Sequence, residues 1–389
     1  MDFRFSDRWE GVSGSAIRAI FALLKDPEII SFAGGMPDPA SFPYDLVNKY
    51  SNELLSGDTK TAMLQYGPTG GYAPLIKNLA KAYNVSEDMI QITTGAQQAI
   101  DLIGKAFLDA NDTILVENPT FLGSLQTFKL YGVNIVPVET DENGIIIEDL
   151  IEKIEKHNPK LLYVIPNFQN PTGITTTLER RQQISDIASE KNVVVIEDDP
   201  YGRLRLDGEH IPSIYSLNKT GHVVYVASFS KTISPGLRVG AAIGHPDIIR
   251  KVTVGTQSTS VHATMLSQAI VNKFLEEEKL EGHIENMCKV YKHKRDKMLS
   301  CLDEYMPSCV THTVPQGGLF IWCTLPENIN ANELFKKAVE KKVAFVPGES
   351  FYCANAKTNT FRLNFSASND EQIETGIKAI AETIKEFLN

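Results

Sequence analysis

The chain has 389 residues, 42% of them hydrophobic and 22% charged, with a formal net charge of −10. That length exceeds what one compact core usually holds, so a large domain with a smaller companion is expected, and the acidic balance weighs against nucleic acid as a partner. The five cysteines, Cys288, Cys301, Cys309, Cys323 and Cys353, are odd in number and include no CxxC pair, which argues against a zinc site or disulfide framework and fits a reducing cytoplasm.

In chain order, Met1-Asp2-Phe3-Arg4-Phe5-Ser6-Asp7-Arg8 lacks the apolar stretch of a signal peptide, and no later run is long and apolar enough to span a bilayer. A helix is expected over 15–25. A Gly/Pro-rich stretch follows to about Asp45, and this N-terminal segment is expected to pack on the smaller domain and border the functional cleft. From about 89 to 244, short β-branched runs alternate with longer amphipathic ones. Strands are expected at 90–93, 113–116, 134–138, 161–165, 193–197, 223–227 and 240–243, with helices among them at 97–108, 123–131, 148–156 and 178–191. Such alternation predicts an α/β fold with a mostly parallel seven-stranded sheet between helices. A long helical stretch over 263–304 then leads to strands at 310–313, 319–323, 343–345 and 360–364 and helices at 331–341 and 371–387, which read as a smaller α+β domain. The expected division is 46–285 for the large domain, and 1–45 with 286–389 for the small one.

Five segments could carry chemistry. Thr93-Thr94-Gly95-Ala96-Gln97 lies where a strand enters a helix, and N–H groups there form an anion site. Pro166-Asn167-Phe168-Gln169-Asn170-Pro171-Thr172-Gly173 follows a strand, and Asn170 before proline is held extended. Glu197-Asp198-Asp199-Pro200-Tyr201 ends an apolar strand, where sheets of this kind place their ligands. Ser228-Phe229-Ser230-Lys231 puts an amine and two hydroxyls just beyond another strand, with Arg238 a short loop away to grip a phosphate. Arg362 sits alone inside an apolar strand, where an arginine needs a partner. Each segment alone also suits a plain loop, turn or internal ion pair.

Their order resembles the fold type I aminotransferases of class I/II. Phe32-Ala33-Gly34-Gly35-Met36-Pro37, Leu64-Gln65-Tyr66-Gly67-Pro68 and Gln316-Gly317-Gly318-Leu319-Phe320-Ile321-Trp322 resemble in particular the branch of α-aminoadipate and kynurenine aminotransferases, and the cofactor-binding half of MocR-type regulators. The resemblance covers the whole chain. It implies pyridoxal phosphate (PLP) as cofactor, with Lys231 carrying it as a Schiff base and moving the substrate proton. Asp198, rather than Asp199, is implied to pair with the ring nitrogen, and Asn170 and Tyr201 to contact the ring oxygen. Ala96, Gln97, Ser228, Ser230 and Arg238 are implied to hold the phosphate, with Tyr66 reaching the phosphate of a partner subunit. Phe121 is implied to stack on the ring. Arg362 would bind the α-carboxylate, with Gly35 and Asn170 beside it, and Arg18 would meet the distal carboxylate of acidic substrates. Ala96 and Phe121 depart from the commoner Ser and Tyr, which leaves Ala96 only its backbone N–H for the phosphate. A cytoplasmic homodimer acting on an amino acid and a 2-oxo acid is implied. A PLP lyase on the same fold and a non-catalytic ligand sensor are the competing readings. The sensor reading expects a DNA-binding domain ahead of this fold, for which Arg18 and Gly34-Gly35, already within the aminotransferase pattern, leave no room.

Overall fold

A computed structural model describes residues 3–9, 12 and 26–388. The helix expected over 15–25, and Arg18 with it, lies outside the described residues.

A short strand β1 (Ile30–Ser31) precedes the strands of the large sheet. These are β2 (Ile90–Thr93), β3 (Thr113–Asn118), β4 (Asn134–Asp141), β5 (Gly144–Ile145), β6 (Leu161–Val164), β7 (Val194–Asp199), β8 (Val223–Ser228) and β9 (Gly240–Ile243). The order across the sheet is β2-β9-β8-β7-β6-β3-β4-β5. Neighbours from β8 through β4 run parallel, whereas β9 runs antiparallel to both β8 and β2. The central strands β3, β6, β7 and β8 are buried apart from residues at their ends, as a sheet covered by helices on each side requires; β6 is Leu-Leu-Tyr-Val with all four residues buried. Several crossover helices stop at an asparagine in the left-handed region, as at Asn158 and Asn192, a residue type that tolerates that conformation.

This topology brings the functional segments to one edge. β9 is antiparallel to β2 and β8, so β2 and β8 point the same way. The carboxyl ends of β2, β3, β6, β7 and β8 therefore share that edge, and so does the amino end of β9. Thr93 and Ser228 both lie opposite Gly240, which sets the loop carrying Arg238 beside both.

The second sheet is antiparallel: β10 (Thr311–His312), β11 (Phe320–Thr324), β13 (Val346–Pro347) and β14 (Thr360–Asn364), in the order β10-β11-β14-β13. β12 (Val343–Ala344) pairs in parallel with β1. Phe32 continues that contact, its N–H donating to Ala344 O at 2.7 Å while its carbonyl accepts from Asn364 N at 2.8 Å. Residues 30–32 are thus stitched to the small domain's strands, with Gly35 and Met36 delivered to the cavity described below.

Three expectations change. The large sheet has an eighth strand, the two-residue β5, which folds back on β4 at the edge. The helical stretch over 263–304 is two helices, Met265–Glu276 and Lys279–Tyr305, broken where Glu278 turns left-handed at φ 53°. No Gly or Pro marks that break; Phe274 and Leu280, buried on either side, hold it. The strand over 343–345 is divided at Phe345, because β12 pairs with β1 and β13 with β14.

Candidate active site

The shared strand edge opens into a cavity of about 370 Å³, within the range of small-molecule sites. Of the site residues expected from sequence, all that the structure describes line it except Tyr66.

One end is built for an anion. β2 turns through Gly95 into the helix Ala96–Phe107, whose first N–H groups have no partner within the helix and favour negative charge. Gly95 has φ +83°, and a Cβ there would lie 2.4 Å from Arg238 Nη2, so both the conformation and the close approach of the guanidinium demand glycine. Arg238 donates to Thr94 O at 3.0 Å and to Ser230 Oγ at 3.3 Å. Ser228 lines the same end. The Gln97 side-chain amide is engaged elsewhere, donating to Thr127 Oγ1 at 2.7 Å and Gly123 O at 3.2 Å.

The same cavity carries a carboxylate. Strand alternation along β7 separates three successive acids. Glu197 accepts from Ile214 N at 2.9 Å and Tyr215 N at 2.7 Å. Asp199 accepts from Gly202 N at 2.8 Å and Tyr225 Oη at 2.7 Å. Asp198 alone of the three lines the cavity. Its Oδ2 accepts from the Tyr163 hydroxyl at 2.7 Å, while its Oδ1 is buried with no partner among the described residues. Burial pushes the Asp198 carboxyl up to about 7; Tyr163 and Lys231 oppose that rise and Asp199 adds to it.

Lys231 stands among these groups, its Nζ donating to Gly35 O at 2.7 Å. Burial, followed by the nearby Arg362 and Arg238 charges, brings its amine down to about 8, against the pull of Asp198. Arg362 reaches the same cavity from β14. It donates to Asn170 Oδ1 and to Ala33 O, each at 2.8 Å. Its guanidinium carbon lies 4.2 Å from the Phe320 ring centre and 5.1 Å from that of Phe351, and its Nε has no partner. No carboxylate pairs with it among the described residues, and burial lowers its pKa to about 10. A buried arginine satisfied only by neutral acceptors and rings carries unspent attraction for an anion.

The side walls come from Phe121, whose ring lies over Gly123, and from Tyr201, which meets the Phe320 ring edge-on at 5.7 Å. Tyr66 lies outside its own chain's cavity, 80% exposed and stacked edge-on against His262 at 5.9 Å.

Sequence reasoning passed over two residues that shape the site. Gln169 ties two loops together: its Nε2 donates to Pro119 O at 2.7 Å, and its Oε1 accepts from Thr172 N at 2.9 Å and Thr172 Oγ1 at 2.8 Å. The loops bearing Phe121 and Asn170 are thereby fixed to one another. Tyr163 is the other. Its signal was present, since a tyrosine within a fully buried strand brings a hydroxyl that needs a partner.

Residues 42–380 match the model of the family described as aminotransferase class I and II. An aromatic-amino-acid aminotransferase of Thermococcus litoralis is 40% identical, over 98% of this chain and 94% of its own. A 2-aminoadipate transaminase of Thermus thermophilus is 38% identical, over 97% and 95%. Among solved structures, a kynurenine aminotransferase of Pyrococcus horikoshii in complex with PMP superimposes with a TM-score of 0.95 at 40% identity, covering 99% of this chain and 98% of that one. With a family model across most of its length and relatives this similar over nearly the whole of it, the chain belongs to the class I and II aminotransferases.

Proposed function

We propose that this enzyme transfers the amino group of an L-amino acid to 2-oxoglutarate through PLP in ping-pong order, with a broad donor range that includes aromatic and 2-aminoadipate-like substrates. One observation carries the reading. Lys231, an amine with a depressed pKa, shares one cavity with an anion-binding turn, a carboxylate with one open oxygen, and Arg362, a buried guanidinium with no acid partner among the described residues. The residues fit the cofactor. The unpartnered Asp198 Oδ1 suits a protonated ring nitrogen; the Ala96 and Gln97 N–H groups, Ser228, Ser230 and Arg238 suit a phosphate; and Lys231 suits an aldehyde. Phe121 would supply a stacking face, and Asn170 and Tyr201 would contact the ring oxygen.

When bound, PLP supplies an electron sink that acidifies the substrate's α-C–H bond. Lys231 Nζ accepts that proton and later returns it; a pKa near 8 leaves a working fraction of neutral amine near neutrality. The two Nη groups of Arg362 grip the α-carboxylate and so fix the α-carbon relative to Lys231. Asn170 Oδ1 already binds one of them, which couples carboxylate capture to the loop that carries Asn170. Phe320 and Phe351 cover the guanidinium and keep water from competing for it.

The exposed Tyr66 suits a phosphate contact across a homodimer interface, and the acidic, cysteine-poor chain suits the cytoplasm. We divide the chain into a PLP-binding domain over 46–285 and a small domain of 1–45 with 286–389. The cations lining the described cavity are Lys231, Arg238 and Arg362, and each has a task above. The distal carboxylate of glutamate or 2-aminoadipate is assigned to Arg18 on the family resemblance, with Met36 among the walls that receive apolar donors. Single-turnover rates of Arg18→Ala test this: glutamate should lose about 1–3 kcal/mol of transition-state binding, one charge-assisted contact, while phenylalanine keeps its rate. Equal losses for both donors would remove Arg18 from substrate recognition. Release of the 2-oxo acid from the donor separates transamination from a sensor, which releases none.

A further inference from the structure

We propose that Tyr163 is a positioning residue: it holds Oδ2 of Asp198, so that Oδ1 alone meets the cofactor's ring nitrogen and the shared proton stays on that nitrogen. The proposal rests on the reading of Asp198 given above.

The sheet register creates the contact. Tyr163 lies opposite Ile196 in the parallel β6–β7 pair, so Asp198 is the next residue along β7 on the same face. That diagonal is within reach of an aromatic side chain, and the hydroxyl arrives at 2.7 Å from Oδ2. Tyr163 is fully buried, with its ring set edge-on against Phe128 at 5.7 Å. The hydroxyl therefore has a fixed position, and Oδ2 has no other hydrogen-bond donor among the described residues. The remaining titratable groups that act on Asp198 are Lys231, Asp199, the buried Glu117 and Tyr201. Of these, the two acids favour the neutral carboxyl.

A hydrogen bond donated to a carboxylate stabilises its ionised form, and burial does the reverse. Without the hydroxyl, Oδ2 would sit dry among aromatic and aliphatic groups. Asp198 would then compete more strongly for the proton it shares with the ring nitrogen. A proton that moves from nitrogen to carboxylate leaves a neutral ring, which withdraws electrons less well. The bond-breaking step slows, while substrate binding, which depends on Arg362, does not change.

Tyr163→Phe removes the hydroxyl and keeps the ring. Holoenzyme loaded with PLP labelled with ¹⁵N in the ring reports the nitrogen's protonation through its chemical shift. The wild type should show a protonated nitrogen at neutral pH. Tyr163→Phe should shift toward the unprotonated position and lose about 10- to 100-fold in kcat with KM little changed, as loss of one hydrogen bond to a charged group implies. Phe128→Leu, which loosens the same ring without touching the hydroxyl, should keep the wild-type shift. Fluorotyrosine at position 163, a stronger donor of the same shape, should hold the nitrogen protonated to higher pH than in the wild type, and this arm stands on its own if Tyr163→Phe does not fold. A wild-type shift in Tyr163→Phe overturns the proposal, as does an equal displacement in Phe128→Leu. Asp198→Asn separates the two readings: if it leaves the nitrogen unmoved, the role of Asp198 itself is wrong, whereas movement there with Tyr163→Phe silent rejects only the role of Tyr163.

Discussion

Arg362 offers the sharpest quantitative prediction, because its surroundings set what a substitution removes. Arg362→Lys keeps a positive charge on β14 but loses the planar fork. The guanidinium now places one Nη on Asn170 Oδ1 and the other on Ala33 O, each at 2.8 Å, between two phenyl rings. An ammonium cannot serve both acceptors and grip a carboxylate bidentately from one point, and it stacks less well between rings. Losing one charge-assisted hydrogen bond to the substrate costs about 1.5–3 kcal/mol, and weakening the ring contacts about 0.5–1 kcal/mol. The sum, about 2–4 kcal/mol, corresponds to a fall of about 30- to 1,000-fold in kcat/KM. The loss should be of similar size for acidic, aromatic and aliphatic donors, since all present the same α-carboxylate. Stopped-flow half-reactions with glutamate, phenylalanine and leucine would measure it, with PLP affinity followed in parallel. A change under about threefold, or a loss confined to one donor class, would refute the assignment of Arg362 to the α-carboxylate.

Three other outcomes follow from the same geometry. With its amine brought down to about 8, Lys231 in the cofactor-free protein is about half neutral at pH 8, where a lysine of pKa near 10.4 is below about 1% neutral. Its acylation rate, followed by peptide mass spectrometry, should therefore rise with pH to a midpoint near 8, whereas a midpoint near that of exposed lysines would remove the basis for its role as a base near neutrality. Asp198→Asn should lower kcat by at least about tenfold with a small effect on PLP affinity, and Asp199→Asn should chiefly lower the melting temperature because Asp199 bonds Gly202 N and Tyr225 Oη; the reverse pattern would show that the register along β7 has been misassigned. Mixing inactive Tyr66→Ala and Lys231→Ala subunits should restore part of the activity, because a hybrid dimer holds one intact site; demonstrated subunit exchange without recovery would rule out a shared site.

The legible parts of this protein were those where chemistry and position coincide in the sequence. The end of an apolar strand followed by Ser228-Phe229-Ser230-Lys231, and the lone Arg362 in a strand of buried residues, each mark a group that a simple core would not hold. Asp198 was separable from Asp199 through the family resemblance, which places the acid three residues before Tyr201; the structure adds that, of the two, Asp198 lines the cavity. The buried hydroxyl of Tyr163 signalled a need for a partner, but which partner was not legible, because it is set by a pairing of two strands whose register no local pattern reports. Gln169 was hidden for a similar reason: its amide bridges Pro119 and Thr172, in loops that follow the parallel-paired strands β3 and β6. Among the helices, Tyr44–Ser56 went unread because it buries only Tyr50 and Leu54, too sparse an apolar stripe to stand out. The break at Glu278 was invisible because packing of Phe274 and Leu280, rather than a helix-breaking residue, places it.

The central claim is that Lys231 is the lysine that holds PLP. Borohydride reduction of the PLP-loaded enzyme, followed by proteolysis and peptide mass mapping, tests it directly. The account predicts a single pyridoxyl group on the peptide that contains Ser228-Phe229-Ser230-Lys231, abolished in Lys231→Ala. A pyridoxyl group on any other lysine, or labelling undiminished in Lys231→Ala, would contradict it.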